Sequence, residues 1–295
     1  METIDCIFCG SNGKPDPVVI RENSYEGHQC PSCNLIYISP RPSAHDIASL
    51  YAHDEAKTNA AVLEGDEYSR RLAARHTLRI LRSQKPTGSL LEIGAGMGFF
   101  CDEARSNGYT PHAIELNRTQ AQHILSLGIP VDRRPLAKAF AGMTFDIIYH
   151  CDVLSHFTDP IAEFKAAASR LGPGGLLMFE TGNFGDVHGR YHRLIRSFQY
   201  PDHLFFFSRA SLRLLLDRSG LKMLKVSRYS RLAEMTIQRQ LGKGDFGGGA
   251  LPSSASPSWV GNLKKLVRHG LVYRLGALYP LKQAPQTLIV IAVPN

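Results

Sequence analysis

Four cysteines near the start of the chain have the spacing of a metal site. They form two C-x2-C pairs, Cys6 with Cys9 and Cys30 with Cys33. The opening residues, METIDCIFCG, lack the basic and apolar regions of a signal peptide, so a disulfide framework is not expected. Four thiolates around tetrahedral zinc leave no open coordination position, so the spacing predicts a structural Zn²⁺ rather than a catalytic one. A redox dithiol or free thiols are the alternatives.

A second group with chemical potential is the glycine-rich turn from Gly94 to Gly98. It follows a short apolar run, LLEI, and precedes a predicted helix from Cys101 to Asn107. Free backbone N–H groups near a helix start suit an anionic or carboxylate-bearing ligand. Phe99 stands where a dinucleotide fingerprint needs its third glycine, which argues against a nicotinamide cofactor.

An acidic residue downstream adds to the turn. Glu115 ends the predicted strand TPHAIE. It lies roughly 20 residues after the turn, where an acid holds a ribose diol in folds of this type. Turn and acid together predict a nucleoside ligand.

Two histidines are candidates for proton transfer. His156 lies in CDVLSHFTDP, and His203 lies in PDHLFFFS. An imidazole titrates near neutral pH and can accept a proton from a hydroxyl or a carbon acid. A histidine that only anchors a loop by hydrogen bonds is the alternative interpretation of His156, and the residues alone leave both open.

The order of motifs resembles class I S-adenosylmethionine-dependent methyltransferases. The resemblance covers about residues 64 to 229 plus a final strand, and it is carried by EIGAGMG, Glu115, FDIIYHCDVLSHFTDP and LGPGGLLMFETGN. It implies S-adenosylmethionine as cofactor and a His203 that faces the acceptor pocket. Members often carry an acid just before the histidine of the third motif, where this chain has Ser155. The predicted cofactor-binding positions are Glu92, Gly94, Ala95, Gly96, Gly98, Glu115, Leu116 and Cys151.

The elements that must position these residues follow a regular alternation. From Ser89 onward, apolar strands and helices alternate, which predicts an α/β fold with a doubly wound, mostly parallel, Rossmann-like sheet. We divide the chain into a zinc ribbon at 1–42, a linker with cofactor-covering helices at 43–88, and a methyltransferase domain at 89–295. The last of these contains a flexible and amphipathic insertion at about 230–285.

Composition limits the partners. The chain of 295 residues is 43% hydrophobic and has no run near the ~18 apolar residues of a membrane span, so we expect a cytoplasmic protein. Its net charge of +8 permits an anionic partner, although a solvated basic face is the simpler interpretation. The basic amphipathic segment 259–281 is expected to pack on its own domain, with peripheral membrane contact as the alternative.

The predicted function is methyl transfer to carbon or oxygen of a small-molecule acceptor, with nucleotide sugars as one class. An RNA methyltransferase whose ribbon presents the nucleic acid is the first alternative. A binding protein that keeps the fold without catalysis is the second, suggested by Ser155.

Overall fold

The computed structural model describes residues 1–10, 15–43, 46–47, 67–195, 197–230, 259–275 and 283–295. The strands are β1 Val18–Glu22, β2 Tyr25–Gln29, β3 Ile36–Ile38, β4 Gly88–Ile93, β5 Tyr109–Ile114, β6 Val131–Asp132, β7 Phe145–Cys151, β8 Leu171–Gly182, β9 Phe205–Phe206, β10 Leu221–Tyr229 and β11 Thr287–Pro294. The helices are α1 Glu67–Arg82, α2 Phe99–Ser106, α3 Arg118–Ser126, α4 Pro160–Ser169, α5 Arg209–Arg218 and α6 Trp259–Gly270, and α6 continues into a π-helical turn, Leu271–Leu275. Among these helices none is long and apolar enough to cross a bilayer.

Seven strands form the central sheet in the order β10-β11-β8-β7-β4-β5-β6. The five strands from β6 to β8 are parallel, whereas β11 runs antiparallel to both β8 and β10. The predicted mostly parallel α/β sheet is confirmed, and so is the return of the apolar segment TLIVIAV into it.

Alternate strand residues face opposite sides of this sheet, and both sides are covered. Leu91 and Leu177 belong to one buried cluster, while their neighbours Leu90 and Leu176 belong to the other. Two apolar faces explain why the strands are continuously hydrophobic rather than alternating. The carboxyl ends of the parallel strands are left as the edge where a ligand binds in such folds.

Local signals fix where the helices begin. The Asp159 side chain accepts a hydrogen bond from the Ala162 N–H, and Pro160 occupies the first helical position of α4. Ser208 caps α5 in a reciprocal capping box with Ser211. Each side-chain oxygen stabilises its helix because it replaces a partner that the first turn lacks.

The cysteine-bearing segment forms a four-stranded antiparallel sheet in the order β1-β2-β3-β9. Its fourth strand comes from far along the chain, with Ile36 opposite Phe206 and Tyr37 opposite Phe205. Gln29 Nε2 donates to the carbonyl of Gly185 over 2.9 Å. The ribbon is thus built against the α/β domain and shares its buried apolar cluster.

Two predicted segments fall partly or wholly outside the described residues. At the start of the predicted linker 43–88, the structure describes residue 43 and residues 46–47. Ser43 and Asp46 form capping-box contacts there, with Ser43 Oγ donating to Asp46 Oδ2 over 2.7 Å and accepting the Asp46 N–H over 3.2 Å. The Gly- and Ser-rich stretch 242–257 lies outside the described residues altogether.

Candidate functional site

A cavity of about 420 Å³ lies at the carboxyl ends of β4, β7 and β8. The turn after β4, helix α1 and helix α6 enclose it. This volume falls within the range of small-molecule and cofactor pockets. Residues from every enclosing element line it, among them Thr77, Glu92, Gly94, Ala95, Gly96, Cys151, Glu180 and Tyr273.

The glycines of the turn divide into two kinds. All three adopt left-handed backbone conformations, with φ of +68° at Gly94, +56° at Gly96 and +73° at Gly98. A Cβ would lie 2.6 Å from Val153 Cγ2 at Gly94 and 2.8 Å from Ile124 Cγ1 at Gly98, but it would meet nothing within 4 Å at Gly96. Gly94 and Gly98 therefore let the turn pack closely, whereas Gly96 presents bare backbone at the cavity wall.

Glu115 holds the turn in place. Its Oε2 accepts the Gly96 N–H over 2.7 Å, and its Oε1 accepts the Asn117 N–H over 2.8 Å. Burial raises the pKa of this carboxyl, while the two backbone donors act in the opposite direction. Gly98, Glu115 and the half-exposed Leu116 lie outside the wall of this cavity, unlike the other predicted cofactor positions.

Glu92 is the most unusual group at the cavity. It is 5% exposed, and its Oε2 has no hydrogen-bond partner among the residues that the structure describes. Burial raises the pKa of Glu92 to about 8, so the carboxyl is largely protonated at neutral pH. A buried polar atom facing a cavity without a partner indicates that a ligand group completes its hydrogen bonding. The bare turn, the cavity volume and this oxygen fit a donor that carries an amino group and a ribose.

A second buried carboxyl, Glu180, is satisfied by hydroxyls. Its Oε1 accepts from Thr77 Oγ1 over 2.5 Å and from the Tyr149 hydroxyl over 2.8 Å, and its Oε2 accepts from the Tyr229 hydroxyl over 3.3 Å. Sequence reasoning missed this network. An acid at the end of the apolar run GLLMF was the signal that could have found it, since an unpartnered charge is costly inside a sheet.

Helix α6 forms the roof of the cavity. Lys265, His269 and Val272 line it from this helix and the turn that follows. The Tyr273 ring packs on His76 of α1, with ring centroids 4.1 Å apart. The amphipathic pattern predicted a packed helix here but gave no sign of which element the helix covers.

The two predicted catalytic histidines lie together, away from this cavity wall. Their ring centroids are 4.7 Å apart, and Asp202 Oδ1 lies 3.1 Å from His156 Nδ1. The Leu204 N–H donates to the Ser155 carbonyl over 2.8 Å, which joins the two segments. Burial lowers the pKa of His203 to about 4, so its ring is neutral at pH 7. Sequence reasoning did not identify Asp202.

This cluster has two chemical uses. An imidazole beside a carboxylate is suited to accept a proton. One ligand atom from each of His156, Asp202 and His203 also lies within 4.8 Å of the others, so a metal ion is the alternative occupant.

The four ribbon cysteines converge on one point. Their Sγ atoms all lie within 4.8 Å of one another, and Cys6 Sγ is 3.5 Å from Cys33 Sγ. Zinc–sulfur bonds of about 2.3 Å in a tetrahedron place sulfurs about 3.8 Å apart. Because Cys6, Cys30 and Cys33 are also buried, the cluster fits a closed zinc site.

A second cavity, of about 520 Å³, lies between the ribbon and the segment after β8. Its wall is mostly polar and includes Gln29, Asn183, Arg209 and Gln286. Arg209 is already engaged there, because its Nη2 donates to Gln286 Oε1 over 3.0 Å.

Comparison with known proteins places this geometry in context. Residues 66–226 match the family described as "Methyltransferase domain". The chain is 34% identical over 125 residues to the ubiquinone biosynthesis O-methyltransferase of Parvibaculum lavamentivorans, covering 39% of this chain and 49% of the relative. It is 35% identical over 109 residues to the enzyme of the same name from Xanthomonas axonopodis pv. citri, covering 34% and 45%. The chain spans about half the length of the curated relatives it matches.

Among solved structures, the fold is similar to the 1,6-didemethyltoxoflavin-N1-methyltransferase of Burkholderia thailandensis. The TM-score is 0.55 at 13% identity, and the match covers 94% of this chain and 98% of the other. At that identity the likeness concerns the fold alone.

Proposed function

The chain belongs to the family of S-adenosylmethionine-dependent methyltransferase domains, and on that premise we propose that it methylates a hydroxyl group of a small-molecule acceptor. The observation that carries the methyl-transfer part of the proposal is the cavity beneath the glycine turn, which would hold the donor and which the unpartnered Oε2 of Glu92 faces. The choice of oxygen draws support from the curated relatives, which are named as O-methyltransferases. Carbon as the acceptor atom is the rival that product analysis must distinguish.

The donor side of the proposal uses residues that line the first cavity, together with Glu115, which lies outside the cavity wall and holds the glycine turn. S-adenosylmethionine supplies an electrophilic methyl group on a sulfonium. Glu92 would hold the amino group of the methionine portion, because a cation there gives the buried carboxyl the partner it lacks. Glu115 would face the ribose hydroxyls with lone pairs that Gly96 and Asn117 leave unused. Gly94, Ala95, Gly96 and Cys151 would form the surrounding wall.

The acceptor side uses the histidine cluster. A hydroxyl becomes a good nucleophile when its proton leaves as the methyl group is transferred, and a positioned base typically contributes about 10²–10⁴-fold to such a step. His156 would take that proton. Asp202 would orient the ring and stabilise the imidazolium that forms, since their atoms lie 3.1 Å apart. His203, neutral at pH 7, would remain a hydrogen-bond partner for the acceptor.

We assign the four cysteines to a structural Zn²⁺. The convergence of four thiols at the distances of a tetrahedral site supports this assignment. Four protein ligands leave no position for substrate, so the metal would take no part in methyl transfer.

The test uses the purified full chain, labelled S-adenosylmethionine, and a set of hydroxylated small molecules followed by a cell extract. We expect a labelled low-molecular-weight product with the methyl group on oxygen. His156→Ala should lower turnover at least about 100-fold, whereas S-adenosylhomocysteine should bind it as tightly as wild type. Labelled RNA as the product would favour the RNA alternative. If neither S-adenosylmethionine nor S-adenosylhomocysteine bound the protein in calorimetry, both small-molecule and RNA methylation would be ruled out.

A further inference from the structure

The outer face of α6 carries a continuous apolar stripe. Leu263 is 50% exposed, Leu266 47%, Val267 56% and Leu271 51%. Their spacing of three, four and eight residues from Leu263 places them on one side of the helix. Single exposed apolar residues are ordinary on a protein surface, but four in one row form a patch that is typical of a binding surface.

The opposite face of α6 is already committed. Lys265, His269 and Val272 line the cavity beneath the glycine turn, and Val272 is 8% exposed. Helix α6 also packs against α1. Rotating the helix to bury its leucines would therefore remove the roof of the cavity. The exposed stripe is thus a surface feature of the folded protein and not a misplaced part of the core.

The charges around the stripe select the kind of partner. Residues 259–275 contain four Lys and Arg residues and no Asp or Glu, and the whole chain has a net charge of +8. Of these cations, Lys264 and Arg268 are exposed, whereas Lys265 lies on the cavity side of the helix. A short helix with an apolar stripe bordered by cations is typical of segments that lie in the plane of an anionic membrane surface. A second copy of this helix would bring cations together with no acid to pair them. A nucleic acid would not require four exposed aliphatic side chains.

We propose that the outer face of α6 docks on an anionic lipid surface, with Leu263, Leu266, Val267 and Leu271 at the acyl boundary. Lys264, at the border of the stripe, would face the headgroups. Docking would hold α6 from outside while its inner face roofs the cavity. The proposal does not depend on the identity of the methyl acceptor.

The chain provides its own reporter for a test. Its single tryptophan, Trp259, is the first residue of α6. The full chain is mixed with vesicles of phosphatidylcholine alone or of phosphatidylcholine with phosphatidylglycerol, and sedimentation and tryptophan emission are recorded. We expect binding to the anionic vesicles with a blue shift of emission, and weaker binding as salt rises. An equal response to both kinds of vesicle, or no binding to either, would overturn the proposal.

Substitutions distinguish binding through the stripe from non-specific adsorption of the protein to vesicles. Leu266→Glu should lower partition onto anionic vesicles at least about tenfold, because it places a charge at the acyl boundary. Leu125→Glu is the matched control, since Leu125 is 57% exposed on α3, and it should bind like wild type. Unchanged affinity for S-adenosylhomocysteine without vesicles shows that Leu266→Glu is folded. The proposal would be overturned if Leu266→Glu bound anionic vesicles as well as the wild-type protein does. It would also be overturned if the wild-type protein ran as a dimer in gel filtration and Leu266→Glu ran as a monomer, because the stripe would then be a dimer interface.

Discussion

Gly96 donates its backbone N–H to Oε2 of Glu115 over 2.7 Å. The same carboxylate accepts the N–H of Asn117, the residue that caps α3. One side chain thus ties the turn after β4 to the start of α3. The backbone also holds the turn to the neighbouring strand, because the Gly94 and Ala95 N–H groups donate to the Ile114 carbonyl over 2.8 and 3.2 Å.

Glu115→Ala should weaken binding of S-adenosylhomocysteine at least about tenfold, because the variant removes the acceptor of the Gly96 N–H and the acceptor proposed for the ribose. A buried donor left without its partner costs about 1–3 kcal/mol, so the unfolding free energy should fall as well. Calorimetric titration measures the first effect, and urea unfolding measures the second. The control is Glu163→Ala, which removes a half-buried carboxyl on α4, outside the cavity wall. Equal affinities for the two variants would contradict the role given to Glu115.

The buried Glu92 should make stability depend on pH in a defined direction. Its pKa rises from 4.5 when solvated to about 8 in the fold. The protonated form is favoured by folding, so its contribution to stability is fully present below the solvated pKa and is lost as pH rises through about 8. Each unit of pKa difference corresponds to about 1.4 kcal/mol.

Glu92→Gln keeps the shape and removes this titration. We expect the ligand-free variant to gain unfolding free energy relative to wild type as pH rises from 4.5 toward 8, with the two proteins closest at the acid end. Urea unfolding across that range tests it. Parallel stability curves for the two proteins would show that Glu92 does not titrate as described.

Loss of the metal should reach beyond the ribbon. Metal analysis should find about one zinc per chain, and Cys30→Ser should abolish it, because a three-thiolate site is left open. Since β3 pairs with β9, hydrogen exchange should then speed up at Phe205 and Phe206 as well as in the ribbon. The control is Cys101→Ala, which replaces a buried cysteine beside β5 and outside the ribbon. This variant should still contain about one zinc per chain. A metal-free wild-type chain with full protection in β9 would refute the zinc assignment.

The close contact between the ribbon and Gly185 can be tested with substitutions at two glycines of the segment after β8. A Cβ at Gly185 would overlap the carbonyl oxygen of Asn34 and lie 2.8 Å from the Ser208 nitrogen, whereas a Cβ at Gly189 would meet nothing within 4 Å. Gly185→Ala should therefore cost about 1–3 kcal/mol of unfolding free energy, and Gly189→Ala should cost far less. Thermal and urea unfolding of the pair give the comparison. Similar losses of unfolding free energy in the two variants would mean that the ribbon does not pack closely on Gly185.

Local signals account for the parts of the fold that could be predicted. The apolar runs at 90–93 and 287–293, the cap at Asp159 and the stop at Gly220 each act within a few residues, so the sequence displays them directly. Strand β9 is different. Phe205 and Phe206 look like core or pocket wall, and only their pairing with Ile36 and Tyr37 makes them a strand. Such pairing leaves no mark in either segment.

Within the candidate site, too, some residues could be predicted from local sequence and others could not. Glu92, Gly96 and Cys151 could be placed at one edge because parallel strands all end there. The three hydroxyls around Glu180 could not, since they come from α1, β7 and β10 and no single segment shows the pattern. Asp202 was also missed, because a carboxylate in a polar loop has no periodicity that points to a histidine elsewhere.

The position of β9 in the chain sets an order for folding during synthesis. Strands β1 to β3 and all four cysteines are made before β4, yet the second partner of β3, strand β9, is made only after β4 to β8. Until residue 206 leaves the ribosome, Ile36, Tyr37 and Ile38 form an apolar edge with unpaired backbone groups, the kind of edge that recruits strands from other chains. One edge of the ribbon therefore stays unpaired while five of the seven strands of the central sheet are made, and pairing with β9 closes this edge.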